Sequence, residues 1–431
     1  MTTTTSHAGQ SSATIPDAGQ RAMLRCLADE PKGLTAKQLG DRLEISQPST
    51  SRALGRLLEL GYIQRAERQS GHLGRPSHVY RIAPERHVLL GIYIEDVTRQ
   101  ASHVWAEGVA LDGERLFGTD ELVEASSSGT VAVFAVVDTV ERIVNDFKEK
   151  LAQPDSAILG VAVALGGHVE NGVVKHSVNV TWSETNLQTL LEQCLPGLSV
   201  WVQNDATVLA SARNPLNPRE PGSRNLVVLI NREGIGGGVY LDGRPWLGAA
   251  GAAGEIGHTP VPPDCACKLG ATSTECPRYN RRCGHHGCLE GVATPSAIAR
   301  TAGTQQLSDV IQLLSDAGDA NRQRAAKDAV EQAGRAFGLA LAGWANLLSP
   351  ARVLVVGPLE LIGGTDADGS EHRSVGAIYR QAAEQAADAY IFGGGWRTSD
   401  RVDWEGWSYD GLAEQVAAGS AVSLVRHLFE T

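Results

Sequence analysis

No apolar run in this 431-residue chain reaches the ~18 residues that a membrane-spanning helix requires. The first sixteen residues, Met1 to Pro16, have neither the basic start nor the apolar centre of a secretory leader. Rich in Thr, Ser, Ala and Gly, they read as a disordered tail. Cysteine is scarce outside one stretch. Cys26 and Cys194 stand alone and are expected in cores, whereas Cys265, Cys267, Cys276, Cys283 and Cys288 are clustered. The length and the missing leader argue against a small disulfide scaffold. A metal site in a reducing compartment is the expectation, and the cytoplasm the expected location.

What is present is 42% apolar and 20% charged, the composition of a globular protein, at a length that calls for two or three domains. The net charge of −11 is unevenly spread. Residues 1–84 carry 11 basic and 7 acidic side chains, while residues 85–431 carry 27 and 42. A mildly basic head on an acidic body points to a polyanion as partner of the head alone.

Residues 17–84 read as a winged helix-turn-helix. Asp17 precedes a first helix with Ala22, Met23 and Leu27 at helical spacing, and Thr35 caps a second over Ala36–Leu43. After the Glu44-Ile45 turn, Ser46 caps a third helix with Pro48 in its first turn; it buries Ala53, Leu54, Leu57 and Leu60 and stops at Gly61. The early face of that helix carries Gln47, Ser49, Thr50, Ser51 and Arg52, with Arg56 one turn on, the short polar and guanidinium groups that read base edges and phosphates. Two short strands, Ile63–Arg65 and His78–Ile82, flank a wing tip in which Gly74-Arg75-Pro76 offers one extended guanidinium to a minor groove. Double-stranded DNA is therefore the expected partner.

Beyond residue 85, strand-like runs (Val88–Glu95, Val104–Ala110, Ile158–Ala164, Ser199–Gln203, Leu226–Ile230, Val353–Val356) alternate with helical ones such as Val131–Leu151, which implies α/β architecture with ligands at strand ends. The glycine run Gly234 and Gly236–Gly238 reads as turn geometry. Downstream, Gly251-Ala-Ala-Gly-Glu255-Ile-Gly-His258 and Cys283-Gly-His-His-Gly-Cys288-Leu-Glu290 place carboxylates, histidine and thiols within about forty residues. Carboxylates accept two hydroxyl bonds each, as a hexose requires, and closely spaced His and Cys suit tetrahedral Zn²⁺.

These two motifs resemble the ROK family of sugar kinases and sugar-responsive repressors, and the Gly-Arg-Pro wing resembles the heads of its repressors. The resemblance covers 85–431 and implies two actin-like (ribonuclease H-like) lobes with a sugar site at Asn179, Asn204, Asp205, Glu255, His258 and Glu290. Asp205 matches the residue that serves as general base in the kinases. The family's zinc pattern implies His258, Cys283 and Cys288 as ligands. Its first cysteine falls at Arg281, so a fourth ligand must come from Cys276, Cys267 or Cys265, with Cys276 preferred as nearest in sequence. The nucleotide side departs from the family at three places. The phosphate turn Asp-x-Gly-Gly-Thr is replaced within Gly91–Thr98, the second phosphate loop reads Asn231-Arg232-Glu233, and the nucleotide loop reads Gly357-Pro358-Leu359-Glu360. The expectation is a non-enzymatic transcriptional regulator, a repressor with a sugar or sugar-derivative effector and structural Zn²⁺. It is expected to be a homodimer or homotetramer on a palindromic operator, with no membrane association.

Overall fold

The computed structural model describes residues 16–28, 30, 32–66, 78–98, 101–124, 131–151, 157–177, 182–213, 224–261, 287–315, 319–363, 373–393 and 395–430. Arg75, Asn179, Cys265, Cys267, Cys276 and Cys283 lie outside them.

Thr35 organises the head. Its hydroxyl accepts a bond from the Gln38 amide at 3.3 Å while the Gln38 side chain accepts from the Thr35 amide at 2.8 Å, a reciprocal capping box that starts the Ala36–Leu43 helix. Glu44 closes that helix in the left-handed region, with φ 55°. The next helix, Gln47–Glu59, has Ser46 at its N-cap position, but the Ser46 hydroxyl pairs with Ser49 at 3.0 Å instead of capping. Strands Ile63–Ala66 and Val79–Ile82 pair antiparallel, and Leu34–Thr35 adds a third strand beside the latter. Met23, Leu24, Leu27, Leu39, Leu54 and Leu57 fill the centre. Three positions expected inside, Ala22, Ala53 and Leu60, are only half-buried; Gln20 and Leu24 take the inner face of the first helix.

The body holds two five-stranded sheets with one strand order. In the first, Ser199–Asn204, Ala157–Leu165, His87–Thr98, Ala101–Ala110 and Arg115–Glu124 lie side by side. In the second the order from the opposite edge is Val402–Trp407, Arg352–Pro358, Leu226–Asn231, Ile235–Leu241 and Arg244–Pro245. Each is an antiparallel three-strand meander whose first strand is extended by two parallel strands. Helices Val133–Lys150 and Leu187–Cys194 cover the first sheet, and the long helices Ala320–Leu348 and Arg373–Tyr390 cover the second.

Between the sheets lie Asp205–Arg213 and the C-terminal helix Tyr409–Glu430. The latter is buried around most of its circumference, as a helix enclosed by protein must be. It sits on the first strand at Gly91, where a Cβ would collide with the Ala417 carbonyl. Leu412, Ala413 and Val416 pack between the lobes, whereas Ala421, Leu424, Val425 and Leu428 join the same core as Met23, Leu27, Leu57 and Tyr62 of the head. The head is thus seated on the body and shares a core with it.

His87 sits at that seam. Its Nε2 bonds to the Leu60 carbonyl at 3.0 Å and its ring lies 4.1 Å from Tyr62, while burial, with Arg86 adding, lowers its pKa. His427, stacked on Trp201 at 5.3 Å, is lowered by burial as well. Both therefore take up a proton at lower pH in the fold than in the unfolded chain, where they titrate near ~6.5, so their contribution is present above that pH and is lost as acidification protonates the unfolded chain first. The denaturant midpoint should fall between pH 7 and 5.5, and His87→Gln should flatten that fall. Buried carboxylates act in the opposite sense but are common to both proteins. Identical slopes would remove His87 from the account.

Candidate functional site

The mouth between the lobes is a cavity of about 570 Å³. Strand 199–204 delivers Asn204 and Asp205 to it. The Asn204 amide donates to the Gly167 carbonyl at 3.0 Å and its oxygen accepts from the Thr207 amide at 3.1 Å, so it caps the following helix and fixes the Gly166-Gly167 turn. Asp205 is left pointing at the cavity, its carboxylate accepting from the Ala206 amide at 2.8 Å. Burial, with Glu255 adding, pushes its pKa up to about 6.

The opposite wall comes from two short segments. Residues 259–261 and 287–289 pair through the Val261 amide on the Gly287 carbonyl (2.8 Å) and the Leu289 amide on the Thr259 carbonyl (3.0 Å). This pairing sets His258 in hydrogen-bond contact with Cys288 and brings Glu255 and Glu290 to one edge. Glu290 accepts the Ile235 amide at 2.8 Å, and Glu255 lies 3.8 Å from His258. Burial, reinforced by Glu290, raises Glu255. Of the expected sugar contacts, Asn204, Asp205, Glu255, His258 and Glu290 therefore line one cavity, while Asn179 lies outside the described residues. His258 and Cys288 are adjacent, as ligands of one ion must be. Cys276 and Cys283 lie outside the described residues, and among those described no third His, Cys, Asp or Glu completes a metal cluster.

Of the glycines expected as turn geometry, Gly234 lies in the bend that joins two strands, whereas Gly236–Gly238 lie within the strand Ile235–Leu241. Gly238 belongs there because a Cβ would strike the Ala206 carbonyl at the start of the Asp205 helix, and Gly237 because a Cβ would strike Ile256 and the Gly254 carbonyl. Gly238 thus admits a helix against a sheet.

The three loops that depart from the family converge on the far end of the cavity, which Glu95, Arg232, Glu233, Pro358 and Glu360 line. No tight turn follows the first strand at the expected place; it runs through to Thr98. Glu95, 4% exposed, is paired with Arg232 of the other lobe and accepts the Trp105 indole N–H at 3.2 Å. Arg232 also donates to the Tyr93 hydroxyl at 3.0 Å and lies over the Tyr409 ring at 4.6 Å. Asn231 is wholly buried and donates to the Ala293 carbonyl and the Tyr379 hydroxyl, each at 3.0 Å. Arg232, Tyr93 and Tyr409 escaped sequence reasoning because their contacts join distant segments; Arg232 and Tyr93 are 139 residues apart.

In the head, Gln47, Ser49, Ser51, Arg52 and Arg56 are exposed on one helix, Arg56 pairing with Glu59 at 3.1 Å, a solvated pair that a phosphate readily replaces. Thr50 must be corrected. It is fully buried, its hydroxyl donating to the Ser46 carbonyl at 3.1 Å, and it packs against Gly40 of the neighbouring helix. It fixes the helix pair and offers nothing to DNA.

Two lobes of one topology around a polar cleft, with a winged-helix head, define a sugar-kinase-type fold fused to a nucleic-acid-binding module. The ROK family model matches residues 123–383 and a MarR family model matches residues 14–72. The chain belongs to the ROK family. It is 24% identical over 350 residues to the DNA-binding transcriptional repressor Mlc of Escherichia coli K12, covering 77% of this chain and 79% of that protein. A glucokinase of Halalkalibacterium halodurans is 29% identical over 271 residues, 56% of this chain and 76% of that enzyme. The crystal structure of a ROK family transcriptional regulator, a homologue of the E. coli Mlc protein, superposes with a TM-score of 0.69 at 20% identity, over 96% of this chain and 99% of that one. Among the described residues no helix is long and apolar enough to cross a membrane.

The pair between Glu95 and Arg232 bridges the lobes. Arg232→Ala should leave a buried carboxylate unpaired and lower stability by ~3–5 kcal/mol. Adding Glu95→Gln should recover much of that loss in urea denaturation. No recovery would mean that Arg232 acts through packing alone.

Proposed function

We propose that this chain is a DNA-binding transcriptional repressor governed by a sugar or sugar derivative in the interlobe cleft. One observation carries the reading: the C-terminal helix has Tyr409 on the cavity wall and Leu424, Val425 and Leu428 in the core that holds the head. At 1.5 Å per residue its 22 residues span ~33 Å. Lobe closure around a ligand that binds two lobe arrangements with different affinity moves this helix, and with it the recognition helices of a homodimer or homotetramer on a palindromic operator.

Asp205 with its raised pKa suits a general base, which favours a second reading as a sugar kinase with a DNA-binding head. Against it, phosphoryl transfer depends on phosphate positioning and charge neutralisation, and the end of the cleft that would hold phosphates presents Glu95, Glu233 and Glu360, with Arg232 already paired. The deciding experiment is a gel-shift against the promoter of its own gene with a panel of sugars, with ADP release measured in parallel. Sugar-dependent binding without ADP is expected; robust sugar-dependent ADP production would overturn the repressor-only reading. Arg52→Ala should weaken operator binding by ~1–3 kcal/mol with the fold intact. An unchanged midpoint would displace the recognition helix from its role.

Zn²⁺ is proposed as a structural ion, held by His258, Cys283, Cys288 and one of Cys276, Cys267 and Cys265. It would tie residues 262–286 to the cleft wall, since metal binding of this kind is coupled to local ordering. The contact of His258 with Cys288 supports the choice. Cys288→Ser should lower both the zinc content of protein purified without chelator and its sugar response, whereas Cys26→Ser should change neither. Absence of zinc in the parent protein would refute the ion.

A further inference from the structure

We propose that the effector is a neutral, unphosphorylated disaccharide, whose second ring occupies the end of the cleft where the family's kinases would hold nucleotide. The proposal rests on the sugar-sensor reading and names the ligand class. The cavity is lined not by Asp205 and Glu255 alone but also by Arg232, Trp407, Tyr409 and the Gln305-Gln306 pair, and these we take as its second compartment. At about 570 Å³ it lies within the ~300–1,000 Å³ of pockets that enclose a drug-sized ligand, more than a single pyranose fills.

The lining of this second compartment selects its occupant. A pyranose presents an apolar C–H face and a rim of hydroxyls, so it needs an aromatic surface and side chains that both donate and accept. Tyr409 is 49% exposed, and the Arg232 guanidinium over one face fixes its ring. Trp407 is held in the same way by Arg213, at 5.7 Å. Gln305, Gln306 and Ser408 supply amide and hydroxyl groups. Charge disfavours the alternatives. Glu233 and Glu360 face the compartment, and among the described residues that line it the one guanidinium, that of Arg232, is engaged with Glu95. A nucleoside triphosphate or a sugar phosphate would meet these carboxylates with no free guanidinium among the described lining residues, whereas a neutral saccharide meets hydrogen-bond acceptors.

The test is calorimetric titration of the full chain with maltose, cellobiose, trehalose and lactose against glucose and galactose, with glucose 6-phosphate and ATP as charged probes. At least one disaccharide should bind about tenfold or more tighter than its component monosaccharide. Tyr409→Ala, and independently Gln306→Ala, should remove most of that advantage while leaving monosaccharide affinity within about twofold. Gln306 is exposed on a loop, so its variant keeps the test open if Tyr409→Ala unfolds. Monosaccharide binding with no tighter disaccharide, or preferential binding of ATP or glucose 6-phosphate, would overturn the proposal and leave the sugar-sensor reading in place. No binding of any saccharide, together with operator affinity indifferent to the panel, would overturn that reading itself.

Discussion

The seating of the C-terminal helix on the first strand of the body is the constraint on which the rest depends. Gly91 lets the helix backbone approach the sheet so closely that any side chain there would displace it. Once docked, one helix supplies apolar side chains to the interlobe core and to the core of the head. Close packing makes such a contact stiff, because interiors at crystal-like density have no room for gradual deformation. A change in lobe angle must therefore be passed on as a movement of the head or resisted outright. The helix-turn-helix is in this sense part of the body's architecture, and the lack of a flexible tether is what makes communication with the cleft mechanically direct.

The cleft has two sides built by different means. On one side the arrangement is built by secondary structure: a strand end, a helix start and two short paired segments bring Asp205, Glu255 and Glu290 together. On the other side, the positions where a phosphate turn would lie now carry an ion pair between lobes and a buried asparagine bonded to two partners. Buried charge is tolerated there because each member is neutralised and hydrogen-bonded, the condition under which such groups persist in interiors.

Much of this was legible from residue order. The boundaries of the Ala36–Leu43 helix follow from Thr35 and Gln38, and the strand at Ser199–Asn204 from its apolar run, because those signals are local. Asp205, Glu255, His258 and Glu290 were found as a group through their motifs, not through any single residue. Thr50 was misplaced because a threonine near a helix start looks polar in sequence, whereas its fate was decided by Gly40 on another helix. The glycine run divides: Gly234 sits in a turn as glycine suggests, whereas Gly236–Gly238 lie in a strand, and only the approach of the Asp205 helix shows why that strand needs Gly238. Strands Arg115–Glu124 and Val402–Trp407 carry no comparable signal, the first alternating around exposed charges and the second only half-buried throughout. Arg232 is marked in sequence only as part of a loop that departs from the family, since its partners are set by how two lobes meet.

The burial of Asn231 bears on how freely this end of the cleft can change. Its amide bonds a helix carbonyl and the hydroxyl of Tyr379, a ring packed against Phe337 in the second lobe. A glycine there would strip both partners of a donor inside the core, and a phosphate turn at the end of the first strand would remove Glu95 from Arg232. Each such change would destabilise the lobe before any nucleotide could compensate. Side chains that fill this end of the cleft are thus structural as well as lining, and its chemistry cannot be altered one residue at a time without a cost in the core.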